Sequence, residues 1–370
     1  MKDDIQIYFA ELLQQAMQMG GTDIHFIPLE TNTQVQIRYQ GELKNMPRLD
    51  KEIYIRICTH IKFLAHLDVS NARIAQSGMF IKFLLNEAIT IRASTLPTIF
   101  GESLALRLIY RNNARSVRDL SVFPEEPEKI LQMMNENVGL YIFSGATGSG
   151  KTTTMYTVLQ EMMDKQNLNI ITLEDPVEMK CEGMIQVQMN FSAGLDYAEG
   201  LRAVLRHDPD VILVGEIRDA KTAKLAVRAA LTGHRVISTV HAKNSFGTLL
   251  RFLNYGLSFT DLEQSIQGVI TQALYPLYCK LCKGKCSNSA HPFFARTLTG
   301  LYEILDGDLL KQALTDLKHG IRDFNLENNL EMQFKKGVSY GYFKEKYMNA
   351  YRCIDTTMFL ITISYKVTKK

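Results

Sequence analysis

Residues Gly145-Ala146-Thr147-Gly148-Ser149-Gly150-Lys151-Thr152 fit the pattern G-x-x-x-x-G-K-[ST], between an apolar run at 139–143 and a helical pattern opening at Lys151. Few sequence features constrain a fold more. Glycines let such a loop turn its backbone N–H groups inward around phosphate oxygens, and the helix behind it presents its positive end to the same anion. Gly145 to Thr152, with Thr153 in the first helical turn, form the candidate nucleotide-binding set. Lys151 is placed to reach the β/γ-phosphates of ATP, and the Thr152 hydroxyl to ligate Mg²⁺.

Around the loop, short apolar runs at 139–143, 169–173, 211–214 and 235–240 alternate with helical patterns at 151–165, 196–206 and 220–231. Buried strands alternating with helices predict an α/β layer structure on a largely parallel sheet covered on both faces. Earlier in the chain the texture differs. A helix predicted from the spacing of Ile5, Phe9, Leu12, Leu13, Ala16 and Met17 ends at Gly20-Gly21. Strand pairs follow around 23–27 and 35–39, a second helix over 51–66, and alternating stretches at 79–85, 88–94 and 103–110. The expected organisation is an α/β domain at 1–112, a linker at 113–127, an ATPase core at 128–277, a cysteine-rich segment at 278–305, a helical region at 306–350 and a basic tail at 351–370.

Strand ends on a parallel sheet converge on the ligand crevice, so the acids there are candidates. Val211-Ile212-Leu213-Val214-Gly215-Glu216 is an apolar strand ending in an acid, and Glu216 is the natural group to polarise the attacking water. Ile170 to Glu178 is another such strand; Glu174 and Asp175 could hold Mg²⁺ or its water. His241, at the end of the run from Thr232, is a candidate phosphate or conformational sensor.

These four motifs in this order resemble the secretion ATPases of type II secretion, type IV pilus and competence systems. Ile171 to Glu178 is similar to the family's Asp box, Asp208 to Asp219 to its Walker B region, and Thr232 to His241 to its His box. Gly21-Thr22-Asp23-Ile24-His25-Phe26 and the segment from Arg92 to Arg107 are similar to the family's N-terminal motifs. The resemblance implies a RecA-like ATPase domain preceded by a smaller mixed α/β (PAS-like) domain. It also implies that Arg92 and Arg107 reach nucleotide phosphate within a hexameric ring. The guanidinium fork suits that task. The partners it implies are a second copy of the chain, a polytopic membrane platform protein that receives the motion, and, indirectly, pilin subunits. It places the protein in the cytoplasm, peripheral on the inner face of the membrane.

Cys279, Cys282, Cys286 and His291 offer three thiolates and an imidazole within thirteen residues, a set tetrahedral Zn²⁺ accepts. A reduced cysteine-rich loop is the alternative. The cysteines, a start almost directly at the segment Gly21 to Phe26 and the lack of a retraction-type C-terminal segment resemble the competence branch of Gram-positive bacteria. Type II secretion or pilus motors with other cargo, a nucleotide-gated scaffold that does not hydrolyse ATP, and a RecA-like nucleic-acid motor are the rival readings.

Charge bears on the last of these. The chain of 370 residues carries a formal +3, but residues 341–370 carry +4, leaving −1 on the rest. A near-neutral body does not support direct nucleic-acid binding. The apolar run 358–365 ahead of the basic end reads either as a dock for membrane or partner or as an edge-pairing tail.

Overall fold

The computed structural model describes residues 2–39, 42–84, 87–110, 116–279, 298–321, 326 and 328–350. The chain divides into two compact units, Met1–Asn113 and Ala114–Lys370.

The first unit runs α1 (Lys2–Met19), β1 (Asp23–Pro28), β2 (Asn32–Tyr39), β3 (Glu42–Asn45), β4 (Leu49–Asp50), α2 (Lys51–Leu64), β5 (Gln76–Leu84), β6 (Glu87–Thr98) and β7 (Gly101–Tyr110). Its antiparallel sheet has the order β3-β2-β1-β7-β6-β5, with β4 paired to β2. The period-2 pattern explains the single covered face: Ile24, Phe26, Val35, Ile37, Ile89, Ile91, Leu104 and Leu106 are buried, alternating with more exposed neighbours. Phe9, Leu12, Leu13 and Ala16 of α1 and Ile57 and Ile61 of α2 close that core.

The second unit contains α3 (Glu125–Glu136), β8 (Gly139–Ser144), α4 (Lys151–Lys165), β9 (Ile170–Glu174), β10 (Ile185–Gln188), α5 (Tyr197–Val204), β11 (Val211–Val214), α6 (Ala220–Leu231), β12 (Arg235–Val240), α7 (Ser245–Asn254), α8 (Phe259–Ser265), β13 (Ile266–Pro276), β14 (Leu298–Asp306), α9 (Gly307–Lys318) and α10 (Leu330–Tyr340). The sheet order is β10-β9-β11-β12-β8-β13-β14, parallel throughout except for β14, which runs antiparallel to β13. Side chains alternate between two cores. Leu140 and Ile142 of β8 join the core that includes α6 and α7, while Tyr141 and Phe143 join the one that includes α3 and α4. This is the two-sided parallel sheet the apolar runs predict.

The stretch expected as a linker is different from Ser116 onward. Val117 and Leu120 sit in a short 3-10 turn and are buried, as is Phe123. Pro124 precedes α3 and Pro127 lies in its first turn with Glu125, Glu126 and Glu128. Proline tolerates the first turn and acids suit a helix N-terminus, so these residues start a helix rather than a spacer. The cysteine-rich segment is also divided: its last residues form β14, the antiparallel edge of the main sheet. Cys279, just past β13, is buried at 2% exposure. Cys282, Cys286, His291 and the run 358–365 lie outside the described residues. Among the described residues no group of three potential metal ligands occurs. No helix among them is long and apolar enough to cross a membrane.

Candidate active site

The phosphate loop follows β8 and opens α4, with Gly145, Gly148 and Gly150 at φ of 137°, 77° and 83°. Two of these glycines are also crowded, Gly145 by backbone and Gly150 by a side-chain tip. A Cβ on Gly145 would lie 2.3 Å from the Gln272 carbonyl oxygen, and one on Gly150 2.9 Å from its side-chain nitrogen. The loop is therefore pressed against β13 in a conformation only glycine adopts there. Lys151 folds back over it. Its Nζ donates to the carbonyls of Gly145 (2.9 Å) and Ala146 (2.8 Å). Burial lowers its pKa to about 8, against the opposing pull of Glu178 and Glu216.

β12 lies between β8 and β11. That order brings the ends of β9, β11 and β12 together beside the loop, although 61 residues of sequence separate Thr239 from Glu178. The result is a cleft of about 250 Å³ lined by Lys151, Thr152, Glu174, Asp175, Glu216 and His241, among others. Glu174 is 4% exposed, and its Oε1 accepts from the Tyr156 hydroxyl and from Thr172 Oγ1 (2.7 Å). Burial raises its pKa; the two hydroxyls act in the other direction. Glu216 Oε1 accepts from Arg218 Nη2, and its Oε2 stands 3.9 Å from His241 Nε2. Thr239 Oγ1 donates to the Gly215 carbonyl (2.7 Å), tying β12 to the residue before Glu216.

Several groups in this cleft were not singled out in the sequence. Tyr156 is four residues after Thr152, one helical turn along the same face of α4. Thr172 is two residues before Glu174, on the same face of β9. Both signals were present. Arg218 follows Glu216 by two residues, so its approach is local as well; Tyr197, which also lines the cleft, meets the site only through the fold.

Arg92 and Arg107 are described within the first unit. They are register partners on β6 and β7, and both are exposed. Arg107 Nε donates to Asp23 Oδ1 (2.9 Å), and Arg92 Nε reaches Ser77 Oγ at 3.4 Å.

The second-unit cleft fits a Mg²⁺-nucleoside triphosphate on its own chemistry. It combines a glycine loop at a helix N-terminus, a buried lysine, a hydroxyl at Thr152 and carboxylates opposite. A family model described as Type II/IV secretion system protein matches residues 2–315. The chain belongs to this family. Membership makes it an ATPase of the secretion and pilus group. The secretion-system chain is 37% identical to "Competence protein ComGA" of Bacillus subtilis (strain 168) over 341 residues, covering 92% of this chain and 96% of that protein. ComGA of Halalkalibacterium halodurans matches at 37% over 91% of this chain and 95% of that one. "Type IV pilus assembly ATPase PilB" of Acinetobacter baylyi is 37% identical over 76% of this chain, which spans 49% of that longer protein. Among solved structures, the Legionella pneumophila ATPase DotB superposes with a TM-score of 0.70 at 20% identity, covering 93% of this chain and 95% of that one. The pilus retraction motor PilT with bound ADP gives 0.67 at 24%, covering 92% and 96%. At those identities the likeness is one of fold: a RecA-like domain with a smaller domain before it.

Proposed function

We propose that this secretion-family ATPase is the motor that powers assembly of a competence pilus or pseudopilus for DNA uptake. It would work as a homo-oligomer, a hexameric ring, on the cytoplasmic face of the membrane against a polytopic platform protein. The observation that carries the chemical half of this reading is the convergence of Lys151, Thr152, Glu174 and Glu216 on one cleft. Its biological half rests on likeness to competence proteins along nearly their whole length.

In this reading the loop amides from Gly145 to Thr153 and the Lys151 ammonium hold the β- and γ-phosphates. Thr152 and Glu174 would hold Mg²⁺, with Asp175 supporting it, and the ion would neutralise charge on the phosphate oxygens. Glu216 takes a proton from the attacking water, and Arg218 and His241 hold its carboxylate in place. Arg92 and Arg107 contribute guanidinium charge to the transferring group, with Asp23 orienting Arg107. In the same proposal Cys279, Cys282, Cys286 and His291 would hold a structural Zn²⁺.

Glu216→Gln should retain nucleotide binding and lose about 10²–10⁴-fold in kcat. The biological assignment is tested by Lys151→Ala in the native host, scoring DNA uptake, twitching and exoprotein release together. Loss of DNA uptake alone is expected. Normal uptake with loss of another output would overturn the assignment, and pilus assembly persisting in Glu216→Gln would mean a nucleotide-gated scaffold.

A further inference from the structure

Glu303 on β14 takes no part in the steps above, yet it is buried at 7% exposure. Burying a carboxylate is costly unless hydrogen bonds replace its water. Here they do, in an ordered way. Ser144, Thr271 and Glu303 stand side by side on three adjacent strands, as register partners across β8, β13 and β14. Ser245, the first residue of α7, caps the row. Its backbone N–H and its hydroxyl both donate to Glu303 Oε1, at 3.0 and 2.7 Å. Ser245 Oγ lies 3.0 Å from Thr271 Oγ1, which lies 2.8 Å from Ser144 Oγ. Ser144, Thr271 and Ser245 are fully buried.

The carboxylate sets the direction of the whole chain. It can only accept, so Ser245 spends its proton on it and must accept from Thr271, which in turn accepts from Ser144. One row away on the same sheet face stand Ile142, Val269 and Leu305, which pack without direction. The polar row instead fixes one position of α7 against β8, because each hydrogen bond has a preferred length and angle.

The two ends of this arrangement are functional. Ser144 is the residue before the phosphate loop. At the other end of α7, Arg251 Nη1 donates to the His241 carbonyl (3.1 Å) and Nε to the Tyr255 hydroxyl oxygen (2.8 Å). Tyr255 donates onward to the Ile217 carbonyl (3.3 Å), next to Glu216. We propose that Glu303 is a positioning residue for ATP hydrolysis: through Ser245 and Thr271 it sets α7, and with it the backbone carrying His241 and Glu216, against the strand that ends in the phosphate loop. It touches no substrate. The proposal rests on the hydrolytic reading above.

Steady-state ATPase of the full-length protein tests it with Glu303→Met, which removes the acceptor for Ser245, with Thr271→Val and with the double variant, together with thermal melts. Each single variant should lose about tenfold or more in kcat while KM for ATP stays within about twofold, since the phosphate-binding groups are untouched. The double variant should be no worse than the weaker single, because either change breaks the same chain. Gln333→Met serves as the structural control. It removes the bonds from Gln333 to the Tyr302 backbone on the outer edge of β14 and should lower Tm without changing kcat. Wild-type-like kcat in both singles, losses that multiply in the double, or an equal kcat loss in Gln333→Met would each overturn the proposal. If Glu303→Met does not fold, Ser245→Ala carries the same comparison. An active wild type with unaffected variants sinks only this inference; an inactive wild type sinks the hydrolytic reading with it.

Discussion

Lys151 illustrates how the fold tunes a single side chain. Buried against carbonyls of its own loop, it titrates near 8 rather than in the ordinary lysine range. Depression of a cationic group means the charge is present below that pH and lost as pH rises through it. Triphosphate favours the charged form, so binding above pH 8 must draw in a proton. Nucleotide affinity should therefore fall as pH rises from 8 to 10. Calorimetric binding enthalpies at pH 8.5 should depend on the ionisation enthalpy of the buffer, which would show that uptake. Gly215 shows the opposite situation, a residue defined by lack of room. A Cβ there would lie 3.0 Å from the Tyr197 hydroxyl and 3.1 Å from the Leu173 carbonyl oxygen. This is the position at which many phosphate-loop proteins carry a metal-holding aspartate. Gly215→Ala should cost about 1–3 kcal/mol of stability in chemical denaturation. A wild-type denaturation midpoint would show that the neighbours yield freely.

At the scale of elements, the fold uses buried polar contacts to fix helices on sheets. In the first unit, Lys62 of α2 is 2% exposed and reaches both carboxylate oxygens of Glu102 on β7 at 3.0 Å, with the Asn71 carbonyl as its third acceptor. Tyr54, two turns earlier, donates to the Glu102 backbone carbonyl. One face of α2 is thus tied to the start of β7. Lys62→Met keeps the volume and leaves the Glu102 carboxylate without its cation. It should destabilise the protein by about 3–5 kcal/mol, read from urea denaturation followed by far-UV circular dichroism. A loss below about 1 kcal/mol would mean that water replaces the lysine. Helix and strand positions were legible in the sequence because period and caps are local. The strand runs at 139–143, 169–173, 211–214 and 235–240 match β8, β9, β11 and β12 to within a residue. The linker expected at 113–127 rests on prolines, which mark a spacer but also open helices; from Ser116 onward the burial of Val117, Leu120 and Phe123 distinguishes the two cases.

For the whole molecule, charge and motif placement predict different things, and placement is the better guide. Apart from the last thirty residues the chain carries a net −1. A motor that grips DNA neutralises several phosphates and binds with a steep salt dependence. Addition of double- or single-stranded DNA should leave the ATPase rate unchanged at low salt. Stimulation that fades between 50 and 200 mM salt would instead indicate a nucleic-acid motor.

The sequence alone determined that a phosphate loop exists, that a parallel sheet carries it, and which acids end the neighbouring strands. Each of those is written in spacing over a few residues, where backbone geometry leaves little choice. The tertiary structure decided the order of the strands. With β12 between β8 and β11, His241 and Glu216 face Lys151 across one cleft, and Ser144, Thr271, Ser245 and Glu303 meet in one buried row. Residues 127 and 58 apart in the chain become hydrogen-bonded there. Local periodicity has no term for that, because which strands become neighbours depends on how the whole set of apolar faces is buried at once.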